Sequence, residues 1–125
     1  MVELPPGERY VLIQLERAIH KLFTKDDRFR KEVVDAQQQV EDWMDRISEH
    51  PHEARETLPG IREPEGWVVI GRRSSMTKNQ QRGLERKNAR LQNITIMTYD
   101  DLLDRARQRL ENLRSLKPDP ELADT

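Results

Sequence analysis

The segment YVLIQLE, residues 10–16, predicts an apolar β-strand with a polar end, and the rest of the fold is built around it. Side chains alternate between the two faces of a strand, so Gln14 and Glu16 share one face with Leu12. We expect the apolar side chains of the other face to fill the protein interior: Val11, Ile13 and Leu15. Two polar groups at the end of an apolar strand indicate either a functional site or a solvated strand end.

The residues before this strand predict a hairpin. An extended run at residues 2–4 is separated from residues 10–16 by a segment that contains two prolines and a glycine. Two extended runs joined in this way are typical of an antiparallel hairpin. Three residues cannot pair along a seven-residue partner, so we expect the chain to begin partway into a strand.

An amphipathic helix is predicted over residues 31–49. Apolar residues recur there at helical spacing over about five turns. Before it, residues 20–31 predict an irregular connection anchored by Leu22, Phe23 and Phe29, and after it residues 48–66 predict a loop with one helical turn. The apolar stripe of the helix consists of Val33, Ala36, Val40, Trp43, Met44 and Ile47.

Two more strands and two more helices follow. Residues 67–71 form a short apolar run that is typical of a parallel strand covered on both faces, and residues 94–98 predict another strand. Thr77 with Gln80 predicts a capping box, and Thr98 with Asp101 repeats the capping pattern before the last helix. The last helix carries apolar residues at helical spacing: Leu103, Ala106, Leu110 and Leu113.

The predicted order is therefore ββαβαβα. A hairpin that leads into crossover connections predicts an α/β fold, with a small mixed β-sheet flanked by helices. We expect one domain over residues 1–114 and a disordered tail over residues 115–125, where two prolines end the helical pattern.

Composition narrows the class of protein. The chain of 125 residues has room for one domain, and its apolar residues are concentrated in periodic runs although 36% of all residues are charged. Cysteine is absent, which excludes disulfides and cysteine-bound zinc. No apolar run reaches membrane-spanning length, and the first residues do not resemble a signal peptide. We therefore predict a cytoplasmic protein without a membrane partner or a small-molecule cofactor.

The net charge of −1 conceals a basic segment between residues 72 and 90, in which Glu85 is the one acidic residue. Four of its cations advance by four residues and form one helical stripe, which we call the basic row: Lys78, Arg82, Arg86 and Arg90. Together with Arg72 and Arg73 they predict a surface that contacts nucleic-acid phosphates. The alternative is a solvated helix face.

Other polar residues give weaker signals. Gln39 is predicted to lie on the same helical stripe as Ala36, Trp43 and Ile47, where an amide needs a buried partner, although a boundary glutamine explains it as well. His50 and His52 lie in the predicted loop without a further ligand at metal spacing, and His20 is isolated. Trp43 and Trp67 fit core packing.

Several segments of the sequence together form a recognisable pattern: LIQLERA at 12–18, LFTK at 22–25, Ala36, QVEDW at 39–43, VIGR at 69–72 and IMTYDDLL at 96–103. They resemble the C-terminal domain of Shedu anti-phage defence proteins, which is a nuclease of the PD-(D/E)XK superfamily. The similarity extends from about residue 2 to residue 113. The strand, the first helix and the start of the last helix occur in the family's order and spacing.

The resemblance implies a restriction-endonuclease-like core, Mg²⁺ or Mn²⁺ as cofactor, and DNA as substrate. It assigns Glu16, Gln39 and Gln14 to the catalytic site, with Glu16 and Gln14 as metal ligands, and we expect Glu16 and Gln39 to converge at the end of the sheet. In the family, this strand ends in Glu-x-Lys or Glu-x-Glu, so Gln14 stands where the family has its first glutamate. The family also has an Asp on the preceding strand, and its position here falls before residue 1.

Two functions remain open on the sequence. One is a DNA-cleaving domain of a Shedu-like defence system, either intact or degenerate. The other is a non-catalytic module of the same fold that binds DNA or mediates oligomerisation. We expect a homo-oligomer, because a shortened hairpin arm leaves a sheet edge unpaired.

Overall fold

A computed structural model describes residues 10–116. The strands are β1 (Val11–Leu15), β2 (Glu65–Val69) and β3 (Ile94–Met97). The helices are α1 (Lys31–Glu49), α2 (Pro51–Thr57), α3 (Lys78–Arg90) and α4 (Tyr99–Leu116), with a short 3₁₀ turn over Arg73–Ser75. The α/β class is confirmed. The first arm of the predicted hairpin and most of the predicted tail lie outside the described residues.

The sheet has the order β1-β2-β3, and both pairings within the described residues are parallel. Gln14 lies opposite Val68, and Val68 lies opposite Ile96, so these side chains share one face of the sheet. The antiparallel contribution predicted for a mixed sheet depends on the hairpin arm and is not described.

Helices α1 and α3 pack against the Val68 face. Val40 of α1 and Leu84 of α3 join Val68 in one buried cluster. The approach of α1 is close, because a Cβ on Gly66 would lie 2.3 Å from Cγ1 of Val40. The predicted loop anchors Leu22 and Phe23 are also buried in this cluster, with Phe29 packed against it.

The opposite face of the sheet is only partly covered. Arg105 of α4 lies over the Trp67 ring, 5.1 Å from its centroid, which places α4 on this side. Val69 and Met97 are buried there. Ile13 and Leu15 are 43% and 59% exposed, so the prediction that they fill the interior is wrong. Within the described chain, no element covers that side of β1.

The other differences from the predicted elements are local. The predicted helical turn after α1 is the two-turn helix α2, which begins at Pro51, a residue suited to the first helical position. The middle strand lies two residues earlier than predicted because Gly71 has a left-handed φ of +69° and ends the extended run. Both predicted capping pairs are confirmed by hydrogen bonds at Thr77 and Thr98.

Candidate functional site

The carboxyl ends of the three parallel strands meet at one edge of the sheet, where open α/β folds commonly bind ligands. The amide of Glu16 donates to the carbonyl of Val69 at 2.8 Å, which continues the pairing one residue beyond β1. The hydroxyl of Tyr99 donates to the carbonyl of Glu16 at 2.5 Å, and the amide of Tyr99 donates to the carbonyl of Gly71 at 3.0 Å. Tyr99 therefore joins all three strand ends.

Gln14 and Glu16 form a pair at this edge. Nε2 of Gln14 donates to Oε1 of Glu16 at 3.0 Å, and both residues are half-buried. The shared face predicted from strand alternation is therefore confirmed. The bond fixes the amide nitrogen on the carboxylate, so one amide oxygen and one carboxylate oxygen remain for a ligand.

Gln39 is not brought to this pair. It is exposed on α1, so the prediction that it lies on the buried stripe is wrong, and its side chain makes no hydrogen bond with any residue in the described part of the chain. Its neighbour Val40 packs over Gly66, whereas Glu16 pairs with Val69 near the other end of β2. The structure thus separates Gln39 from Glu16 along the strand direction.

The pair alone does not supply the ligands that a divalent cation needs. Mg²⁺ requires octahedral oxygen coordination and is usually held by one or two carboxylates, waters and substrate phosphates. Glu16 supplies one carboxylate, and Gln14 supplies a neutral oxygen. Between residues 10 and 116 no group of three or more His, Cys, Asp or Glu residues is arranged to hold a metal ion. The described side chains therefore do not amount to a self-sufficient magnesium site.

Arg72 and Arg73 are held by carboxylates at the start of α4. Nε and Nη2 of Arg72 donate to the two carboxylate oxygens of Asp100 at 3.2 and 3.1 Å, and the amide of Arg73 donates to Asp100 at 2.7 Å. Nη2 of Arg73 donates to Asp101 at 2.6 Å and to Asp104 at 2.8 Å. We call these five residues the acidic junction. Its three carboxylates outnumber its two guanidinium groups.

The hydrogen bonds of the acidic junction shift several pKa values. The side-chain bond from Arg72, followed by the backbone bond from Arg73, lowers the pKa of Asp100 from 3.8 to about 2. Burial raises the pKa of Asp101, but bonds from Arg73 and Thr98 outweigh it, so the net pKa is lowered. The same partners raise the pKa of both arginines. These arginines present little uncompensated charge to an external phosphate.

Sequence reasoning did not find the acidic junction, because its two halves lie 27 to 31 residues apart. The signal that was available is the Asp100-Asp101 pair in the first turn of α4, where carboxylates favour the helix dipole. Two successive carboxylates beside a predicted strand end could have been matched with the two successive arginines after the neighbouring strand.

The basic row is exposed along α3. Thr77 and Gln80 form the reciprocal capping box that starts the helix, so Lys78 is the first residue of the row and of α3. Within the described part of the chain, no carboxylate forms an ion pair with the four cations of the row. Helix α3 follows the carboxyl end of β2 and leads to the start of β3. Lys78 is therefore nearer than Arg90 to the edge of the sheet where the strands end and Glu16 lies.

Comparison with known proteins identifies one family. The family model described as "Shedu protein SduA, C-terminal" matches residues 5–103, which is most of the chain. No curated protein matches the sequence. None of the helices between residues 10 and 116 has the length and apolar character needed to cross a membrane.

Proposed function

We propose that this chain, which belongs to the Shedu SduA C-terminal family of anti-phage defence proteins, binds DNA through the basic row of α3. The observation that carries this proposal is the row itself: four exposed cations on one helix, with no carboxylate paired to them in the described chain. From Lys78 to Arg90 the helix rises about 18 Å, which equals about five base-pair steps along the DNA axis.

Arg72 and Arg73 have a different role in this proposal. Their guanidinium groups bind three carboxylates of α4, so they stabilise the junction between β2 and α4. The basic row then makes the phosphate contacts. The main free-energy costs of binding there are the lost side-chain entropy and the lost hydration of its cations. The three carboxylates would repel a phosphate that approached the acidic junction, which favours α3 further.

DNA binding through the row can be tested by fluorescence anisotropy with a labelled duplex. The double variant Arg82→Gln/Arg86→Gln should weaken binding by about tenfold or more, because each phosphate contact contributes to affinity. The matched control Arg107→Gln/Arg114→Gln removes the same charge from exposed positions on α4 and should retain affinity within about twofold. An equal loss in both variants would indicate a general charge effect and contradict the proposal.

Cleavage of DNA at the Glu16 edge is a second candidate function. It is supported by the Gln14–Glu16 pair at the carboxyl ends of parallel strands and by the resemblance of the sequence segments around Glu16 to Shedu nuclease domains. A glutamate at this position can bind a cation together with a substrate phosphate, but the described residues do not complete such a site. A non-catalytic DNA-binding domain is the corresponding alternative.

A plasmid-nicking assay with Mg²⁺ or Mn²⁺ separates these alternatives. If the domain cleaves, Glu16→Ala should abolish nicking, whereas the exposed α4 variant Glu111→Ala should nick as the wild type does. Nicking that survives Glu16→Ala would rule out this site. An inactive wild type that still binds the duplex would support the non-catalytic alternative.

A further inference from the structure

A groove of about 320 Å³ lies between α3 and the connection that leads from β1 to α1. Its volume is near the lower end of the range for small-molecule sites, which suits one nucleotide rather than a longer ligand. Two members of the basic row line it, with a third cation from the same helix and two aromatic rings. The lining includes Phe23, Asp27, Phe29, Arg86, Lys87 and Arg90.

The floor of the groove is aromatic. The rings of Phe23 and Phe29 lie 4.5 Å apart between centroids and are tilted by 34°. Phe23 is buried, whereas Phe29 is half-buried. Nζ of Lys87 lies over the Phe29 ring at 5.1 Å from its centroid, so a cation now covers the ring face that a planar ligand could use.

The walls of the groove are cationic. Arg86 folds back along α3, because a Cβ added at Gly83 would lie 3.7 Å from Nη2 of Arg86 and 3.8 Å from the Phe23 ring. The guanidinium group and the ring therefore both border the Gly83 side of the groove. Asp27 is the one carboxylate among the lining residues, and its Oδ1 accepts a hydrogen bond from Gln80. Three cations against one occupied carboxylate favour an anion.

We infer that this groove binds a single unpaired nucleotide, with the base against Phe29 and the phosphate between Arg86 and Arg90. Aromatic rings beside a basic track are the usual combination for unpaired bases, since every base has a π-face. Stacking of a base on an aromatic ring is at least as strong as a cation–π contact, so the base can displace the Lys87 ammonium, which then becomes available to the phosphate. The inference extends the proposed DNA binding from the helix to a defined subsite.

The test compares a fluorescein-labelled single strand with a fully paired duplex by fluorescence anisotropy. Phe29→Leu keeps an apolar side chain but removes the ring, and should weaken single-strand binding by about tenfold while duplex binding changes by less than about twofold. Arg86→Gln should weaken single-strand binding more than Arg82→Gln, which removes the same charge from a position outside the groove. Thermal unfolding followed by circular dichroism confirms that each variant is folded.

A titration of free deoxyadenosine monophosphate, followed by NMR, tests the groove apart from DNA binding. Amide shifts at Gly83 and Lys87 that disappear in Phe29→Leu would support the groove even if the duplex did not bind, in which case the proposed function alone would fail. If the groove binds the single strand, its ligand is a nucleotide within DNA. If it responds to the mononucleotide but not to the single strand, its ligand is a free nucleotide. If the duplex binds and Phe29→Leu changes neither single-strand binding nor the shifts caused by the mononucleotide, the inference is overturned.

Discussion

Among single residues, Asp100 makes the stability of the fold depend on pH, because folding lowers the pKa of its carboxyl group. Its pKa in the folded protein is about 2, below the ordinary value of 3.8, because Arg72 and the amide of Arg73 bind its charged form. A carboxylate with a lowered folded pKa stabilises the fold above its unfolded pKa, and the contribution is lost as pH falls through the folded value. The lowered pKa of Asp101 acts in the same direction.

We therefore expect the melting temperature to fall as pH decreases from about 4 to about 2. Asp100→Asn should reduce the melting temperature at neutral pH and flatten this dependence, as measured by circular dichroism. The control is Asp45→Asn, an exposed carboxylate on α1 outside the acidic junction, and it should keep the wild-type profile. An unchanged profile in Asp100→Asn would contradict the assigned role.

Gly66 is required by the close packing of α1 on β2. A Cβ at this position would lie 2.3 Å from Cγ1 of Val40 and 3.2 Å from Cε of Met44. Gly66→Ala should therefore lower the free energy of unfolding by about 1–3 kcal/mol through overpacking. Urea unfolding measures this change.

Two variants serve as controls for the Gly66 prediction. In Gly66→Ala/Val40→Ala the total loss should be smaller than the sum of the single losses, because removing the valine methyls makes room for the new one. Gly83→Ala, on α3, meets other atoms only at 3.7–3.8 Å and should be neutral or stabilising by up to about 1 kcal/mol. Additive losses would show that steric overlap is not the cause.

At the scale of elements, Asn88 holds α3 against the edge strand β3. Its Nδ2 donates to the carbonyl of Ile96 at 2.9 Å, and its Oδ1 accepts from the amide of Ile96 at 2.8 Å. Asn88→Ala should cost about 1–3 kcal/mol, because two partly buried backbone groups lose their partner. Amide hydrogen exchange at Ile96 should accelerate.

The control for this prediction is Asn79→Ala, an exposed position on the same helix. It should leave the exchange rate of the Ile96 amide unchanged, because Asn79 makes no hydrogen bond to β3 in the described chain. If Asn88→Ala left that rate unchanged as well, the amide would be protected by packing and not by the side chain.

Local signals predicted the elements well. The capping pairs at Thr77 and Thr98 involve residues three positions apart, so the sequence alone contains both partners. The buried stripe of α1 was also predictable, since helical spacing defines one face whatever it packs against. The same reasoning predicted α4, but its Leu103 and Leu110 are exposed in the described chain because spacing does not say which faces find a partner.

The candidate site was less predictable because it depends on distant partners. Gln14 and Glu16 share a strand, so their contact followed from alternation. The placement of Gln39 depended on where α1 crosses the sheet, and the close approach at Gly66 sets that position. The partners of Arg72 and Arg73 lie on α4, far along the chain, so only the folded structure shows that carboxylates pair with these two guanidinium groups.

At the scale of the whole molecule, helices cover one face of the sheet more fully than the other. Ile13 and Leu15 on β1 are exposed, as are three leucines of α4: Leu103, Leu110 and Leu113. The predicted homo-oligomer stays a prediction. Light scattering coupled to size exclusion checks it, with a mass of at least two chains as the expected result and the 14.8 kDa of one chain as the contrary one.

If DNA phosphates bind the basic row of α3, the salt dependence of duplex binding must report their number. The logarithm of the association constant should fall linearly with the logarithm of salt concentration, and neutralising Arg82 and Arg86 together should reduce the magnitude of that slope by about two. A slope that is the same in the wild type and the double variant would contradict the claim.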